Sequence, residues 1–177
     1  WENRRPCQCF CPLKMKNTFD YHRFKHKTIQ KNIAIGYIYS DSLKQRERPE
    51  VLSHHGEVTW SNGIYGSGNI HTTISDLLKW DRALYDKKFI SKQDLDLIYG
   101  FTQLNDGNSI NYGFGWWITE KEGIGKVVYH AGNSNGFETH FERHLDNGKT
   151  IIILQNFDAT TPGIEAIDAI LYNQPLK

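Results

Sequence analysis

The spacing of apolar residues changes along this chain, and each change marks an element. Ile33-Ala34-Ile35-Gly36-Tyr37-Ile38-Tyr39 is rich in β-favouring residues and reads as a short strand. Residues 40–57 are strongly charged, include Pro49 and read as a loop. Gly63, Gly66 and Gly68 make 60–69 a glycine-rich loop without the Lys-Ser/Thr ending of a phosphate loop. From Thr73 the period turns helical. Thr73 is placed to cap, with Asp76 three residues on. Ile74, Leu77, Leu78, Trp80, Ala83 and Leu84 form an apolar stripe. Ser91 and Asp94 start a second helix, with Leu95, Leu97 and Ile98 as its apolar residues and Gly100 as its stop.

Beyond a polar loop at 102–111 the period becomes that of strands. Tyr112-Gly113-Phe114-Gly115-Trp116-Trp117-Ile118 reads as an aromatic strand whose alternating glycines permit close packing. A glycine-containing turn leads to Val127-Val128-Tyr129-His130-Ala131-Gly132-Asn133-Ser134, a strand that ends in polar and small residues. Phe137 to Leu145 and Lys149 to Gln155 are two strands joined through Asp146-Asn147-Gly148, a hairpin signal. Ile151-Ile152-Ile153-Leu154 is apolar on successive residues, so both faces of that strand are covered. Thr161 and Pro162 open a last helix with Ile164, Ile167, Ile170 and Leu171 as its buried face. The expected fold is α+β (an α/β-type sandwich): an antiparallel sheet with a C-terminal helix on one face, plus part of a helical subdomain. The expected divisions are an atypical head at 1–11, a helical and loop region at 12–110, and sheet strands with the last helix at 111–177.

Composition narrows the function. The chain has 177 residues and is 38% hydrophobic, enough for a core. No apolar run is long enough to span a membrane, and the net charge of +1 gives no global attraction to nucleic acid. Residues 1–31 carry eight Lys/Arg against two acids, which reads as a solvated basic face. The chain starts at Trp1, and no signal peptide is visible. Cys7, Cys9 and Cys11 are its three cysteines, an odd set without a disulfide framework.

Several segments, in order, resemble the serine β-lactamase-like hydrolases: class C β-lactamases, D-alanyl-D-alanine carboxypeptidases and related esterases. Pro12-Leu13-Lys14-Met15-Lys16-Asn17-Thr18-Phe19 is similar to their PLGM-x-x-T-x-F/Y segment. Ser67 to Trp80 resembles G-G-x-x-S-T-x-x-D-L-x-K-W, and Tyr112-Gly113-Phe114-Gly115-Trp116 resembles Y-G-x-G-W. His130-Ala131-Gly132 stands where the family carries K-T-G or H-x-G, and Gly148 to Asn156 matches the G-x-x-I-x-x-L-x-N ending. The resemblance implies a β-lactamase/transpeptidase-like fold and acyl-enzyme hydrolysis of an amide or ester. It implies that His130 acts in the site as a polarising or proton-transferring group. Gly132 leaves room for substrate, and the backbone N–H of Asn133 is one of two oxyanion donors. Ala131 stands where a Thr or Ser would offer a hydroxyl to a substrate carboxylate, which leaves peptidase or esterase activity open.

The family nucleophile is the serine of S-x-x-K, and no serine here has lysine three residues on. Tyr65-Gly66-Ser67, the one match to the family's Tyr-x-Asn/Ser, falls on the wrong side of the first segment and reads as chance. The expectation is therefore the carboxyl-terminal portion of a larger hydrolase, inactive and loosely packed alone, whose partners are an acyl substrate (small molecule or peptide) and its own amino-terminal portion. No cofactor or metal is expected. The family suggests a periplasmic or secreted setting; the sequence leaves the compartment unknown. Two rivals are a non-catalytic binding protein on the same fold and a zinc module at Cys7, Cys9, Cys11, His22 and His26, whose C-x-C spacing is unlike structural zinc sites. His140 and His144, about 13 Å apart along a strand of ~3.3 Å rise, read as surface residues.

Overall fold

The computed structural model describes residues 10–20, 32–49, 68–134, 136–157 and 163–175. Its main layer is a four-stranded antiparallel sheet in the order β10-β9-β8-β7. These strands are β7 (Trp117–Lys121), β8 (Gly125–Ser134), β9 (Phe137–His144) and β10 (Lys149–Gln155). Before them come β1 (Phe19–Asp20), β2 (Ile38–Ser40), β3 (Gln45–Glu47), β4 (Ile70–His71), α1 (Ile74–Ala83), α2 (Lys92–Ile98), β5 (Thr102–Gln103) and β6 (Ser109–Ile110). Helix α3 (Ile164–Leu171) closes the order. Among the described residues there are also three two-stranded ladders, β1–β4, β2–β3 and β5–β6.

Both predicted caps form. The Thr73 and Ser91 hydroxyls accept from the Asp76 and Asp94 N–H groups. Other expectations change. The strand read at 33–39 is confined to Ile38–Ser40, and the charged 40–57 segment carries β3 in a hairpin with it. The polar loop at 102–111 contains the β5–β6 ladder. The aromatic strand starts only at Trp117, because Gly115 has φ +83° and bends the chain. Gly113 does serve close approach: an added Cβ there would lie 2.0 Å from the Ile98 carbonyl oxygen. The β9–β10 hairpin closes over four residues, 145–148, with Gly148 in the left-handed region at φ +64°. Thr161, Pro162 and the glycine-rich 60–67 stretch lie outside the described residues.

The helices bury acids where apolar residues were expected. In α1, Asp76 and Asp81 are buried while Ile74 and Leu78 are exposed. In α3, Asp168 is buried while Ile170 is 69% exposed. Each acid has a cation or donors waiting. Asp76 accepts from the Asn17 N–H (2.7 Å), the Thr18 hydroxyl (3.0 Å) and Lys79 (2.5 Å), which fixes the 12–19 segment against α1. Burial alone would raise the Asp76 pKa; these donors outweigh it and hold it low.

The central strand β9 supplies the other partners. Glu142, Arg143 and His144 follow one another and are 2%, 1% and 0% exposed. Strand alternation sends Arg143 to one face and Glu142 and His144 to the other. Arg143 Nε donates to Asp81 of α1 at 2.7 Å, and its guanidinium lies 4.5 Å from the Tyr85 ring centroid and donates to the Tyr99 hydroxyl. Thr150 on β10 donates to the same Asp81 carboxylate. On this face Tyr99, Ile118 and Val128 form the apolar core, with Leu95, Ile98, Trp116 and Leu145 packed against it.

On the opposite face Lys121 Nζ donates to Glu142 (2.7 Å) and to Asp168 of α3 (2.6 Å). His144 Nε2 lies 2.8 Å from Glu142, and His144 Nδ1 lies 2.7 Å from the Tyr172 hydroxyl just past α3. His140 Nε2 meets the other Glu142 oxygen at 3.0 Å. His140 and His144 are therefore buried, which corrects the surface reading. They share a carboxylate between them, as two same-face residues on either side of Glu142 can.

Two outcomes are expected. Arg143→Ala leaves buried Asp81 with only the longer 3.6 Å ion pair to Arg82 and should cost about 3–5 kcal/mol in urea unfolding, whereas Arg143→Met with Asp81→Leu should restore most of it. The second concerns Glu142. Burial raises its pKa, but hydrogen bonds with His140, Lys121 and His144 overcome this and lower it from 4.5 to about 2. A carboxylate lowered by folding adds stability that is complete above its unfolded pKa and fades as pH falls toward the folded one. The window therefore runs from 4.5 down to about 2, and the contribution is at most about 3 kcal/mol. Glu142→Gln should flatten the fall in unfolding free energy across that window by about one proton's worth, leaving the share due to Asp76.

Candidate active site

The expected site residues His130, Ala131, Gly132 and Asn133 occupy the last turnward stretch of β8, and all four are exposed. Register explains why this end differs from the rest of the strand. β7 pairs with β8 only as far as Trp117↔Tyr129, while β9 follows β8 to Ser134↔Phe137. The bend at Gly113–Gly115, closed by Gly113 N–H to the Trp116 carbonyl, carries the chain off before β7 can extend. So β8 outruns its neighbour by five residues, His130 to Ser134.

Parity then fixes which backbone groups face that side. Leu145 N–H donates to the Lys126 carbonyl, so 126 and 145 form a hydrogen-bonded pair. Antiparallel pairs alternate. Hence 128, 130, 132 and 134 direct their amides toward β9, and 127, 129, 131 and 133 direct theirs toward the β7 side. The Asn133 N–H thus points past the end of β7, the direction an oxyanion donor needs. Asn133 itself stands opposite Glu138 on β9.

Side chains alternate too. His130 shares a face with Gly132, Phe141 and Thr139. Its ring lies 6.4 Å from that of Tyr112 at 61°, and Tyr112 in turn lies 4.9 Å from Trp117 at 71°. Gly132 presents bare backbone; a Cβ there would come 3.1 Å from the Thr139 hydroxyl oxygen. The tip of the hairpin is held from outside. Gly136, at φ +86°, accepts a hydrogen bond from Tyr37 N–H (3.2 Å), and a Cβ on it would strike that nitrogen at 2.6 Å. Tyr37 N–H also reaches the Asn156 carbonyl at 3.0 Å, and the Asn156 side chain donates to the Ile35 carbonyl.

The buried group under α3 was not foreseen. Ligand atoms of Glu142, His144 and Asp168 lie within 4.8 Å of one another, a spacing that could hold a metal ion. The Lys121 ammonium already sits between the two carboxylates, so a divalent ion would have to displace it. No sequence spacing announces this group, because its members come from β9 and α3. Of the cysteine–histidine head, Cys7, Cys9, His22 and His26 lie outside the described residues, and Cys11 is disulfide-bonded and so is no thiolate ligand.

The Beta-lactamase family model matches residues 12–172. Penicillin-binding protein 4* of Bacillus subtilis (strain 168) is 34% identical over 170 residues, which are 94% of this chain and 38% of that protein. The octameric penicillin-binding protein homologue from Pyrococcus abyssi superposes with a TM-score of 0.74 at 18% identity, covering 98% of this chain and 38% of its own. A D-stereospecific amidohydrolase from Streptomyces sp. gives 0.63 at 18% identity, covering 98% and 48%. The chain thus spans less than half the length of these relatives. Two motif segments that are remote in sequence, 12–19 and 67–80, meet at Asp76, and the His130–Asn133 stretch lies in the exposed end of β8, an inner strand of the four-stranded antiparallel sheet. With a family match over nearly its whole length, the chain belongs to the beta-lactamase family.

Proposed function

We propose that this chain supplies one wall of a serine acyl-transfer site that hydrolyses an amide or ester, with the serine and its lysine supplied by polypeptide outside these 177 residues. The observation that carries the reading is the direction of the Asn133 N–H, turned toward the lane that β7 leaves beyond Trp117. A substrate laid along that lane extends the sheet by one strand. Its reacting carbonyl then meets the Asn133 N–H, and charge developing on oxygen is held by a donor fixed in advance by the ladder. His130, exposed and three residues back along β8, serves the leaving group as a polarising or proton-transferring partner. Ala131 offers no hydroxyl to a carboxylate, which favours amides and esters with an uncharged end over free C-terminal peptides.

The absence of S-x-x-K favours a second reading, a binding protein that holds acyl compounds without cleaving them. Intact mass after fluorophosphonate treatment separates the two. The chain alone should gain no adduct. Joined behind the preceding portion of the B. subtilis relative, it should support acylation at a serine of that portion. In that hybrid Asn133→Pro, which deletes the N–H, should slow acylation about 10²–10³-fold. An adduct on a serine of this chain, or indifference to Asn133→Pro, would overturn the acyl-transfer reading. A folded hybrid that is never acylated would leave the binding reading in place.

A further inference from the structure

Tyr112 and Trp117 form an aromatic pair at the mouth of the same lane, and no core role accounts for it. The apolar core of Tyr99, Ile118 and Val128, with Trp116 packed against it, lies on the other face of β7 from Trp117. Trp117, one residue on, is 46% exposed, and Phe114 at the tip of the bend is 74% exposed. Tyr112 joins Trp117 to the His130 ring through two edge contacts. Apolar rings are thus left in solvent at one end of the substrate lane.

Resting on the strand-edge reading above, we infer that Tyr112 and Trp117 recognise the leaving-group side of the substrate and select a flat apolar, aromatic group there. Direction decides which side. β7 runs antiparallel to β8, from Trp117 opposite Tyr129 to Lys121 opposite Gly125. A ligand in the same lane, running the same way, enters at Ser134 and leaves toward Trp117. Its carbonyl at Asn133 is then followed by the scissile bond, and the group beyond that bond passes Ala131 and His130. Asn133 lies four residues from Tyr129, about 13 Å at ~3.3 Å per residue. A ring carried one or two bonds past the scissile nitrogen reaches into that span and meets Tyr112 and Trp117. The stretches Tyr112–Ile118 and Tyr129–Ser134 contain no Lys or Arg, so they offer no fixed cation to a carboxylate at this end. Ring-edge contacts with the two aromatic side chains are the favourable alternative.

The probes are N-acetylalanine methylamide and N-acetylalanine benzylamide, titrated into the ¹⁵N-labelled chain. Backbone amide shifts of Asn133 report the lane, and those of Ile118 and Val128 report that the fold is intact. The benzylamide should bind about five-fold more tightly, and Tyr112→Leu and Trp117→Ser should each bring the ratio of the two affinities close to one. If Tyr112→Leu does not fold, Trp117→Ser carries the test alone. Equal affinities, or a preference that survives both substitutions, would overturn the aromatic selection and leave the strand-edge site standing. If neither amide moves the Asn133 resonance, both readings fall.

Discussion

The fold depends on the charges buried in β9. Glu142, Arg143 and His144 are consecutive and solvent-free, and the pleat sends them to opposite faces. Arg143 holds α1 through Asp81, and Glu142 reaches α3 through Lys121 and Asp168. Burying such groups costs several kcal/mol per ion unless each finds a partner of good geometry. Here the partners lie on the layers above and below. The strand is therefore acceptable as a central strand only when both helical layers are in place. Packing of Val127, Val128 and Ile118 adds the non-directional part of the stabilisation.

The site is a product of the same sheet. β9 holds β8 along its whole length, so the last residues of β8 remain in strand geometry where β7 no longer accompanies them. An oxyanion donor must be positioned before the reaction, since reorganisation during the reaction would cost what the hydrogen bond gains. On the reading proposed above, the ladder from Val127↔His144 to Ser134↔Phe137 provides that positioning for the Asn133 N–H. Gly113 and Gly115 complete it by turning the neighbouring chain away.

Much of this was legible in the sequence, and the failures have a common cause. The caps at Thr73 and Ser91 and the three long strands follow local rules, and they appear where those rules put them; the last helix is present too, but it starts at Ile164 after Gly163 rather than from a Thr161 cap. The candidate residues His130 to Asn133 fall together at one strand end, as the sequence placed them, because a single strand carries them all. What escaped was every feature that depends on a distant partner. Phe-Glu-Thr-His-Phe-Glu-Arg-His reads as a half-polar strand, and nothing local says that Lys121, Asp81 and Asp168 will neutralise it. The same blindness assigned Ile74 and Ile170 to buried faces that Asp76, Asp81 and Asp168 occupy instead. The short reach of β7 was also hidden, because Tyr112–Ile118 has strand composition and only the positive φ of Gly115 stops it.

The meeting of Gly36 and Gly136 carries a kinetic consequence. Tyr37 donates to the Gly136 carbonyl, and a Cβ on either glycine would collide with the other segment, so the hairpin tip is seated by backbone one hundred positions earlier in the chain. Hairpins of this kind close in microseconds, whereas a contact of such separation must first meet the entropy of closing a long loop. The β8–β9 ribbon therefore forms early and its tip is seated late, when residues 36–37 arrive. The rim that carries Asn133 is among the last parts of the molecule to reach its final position, although the strand beneath it is among the first.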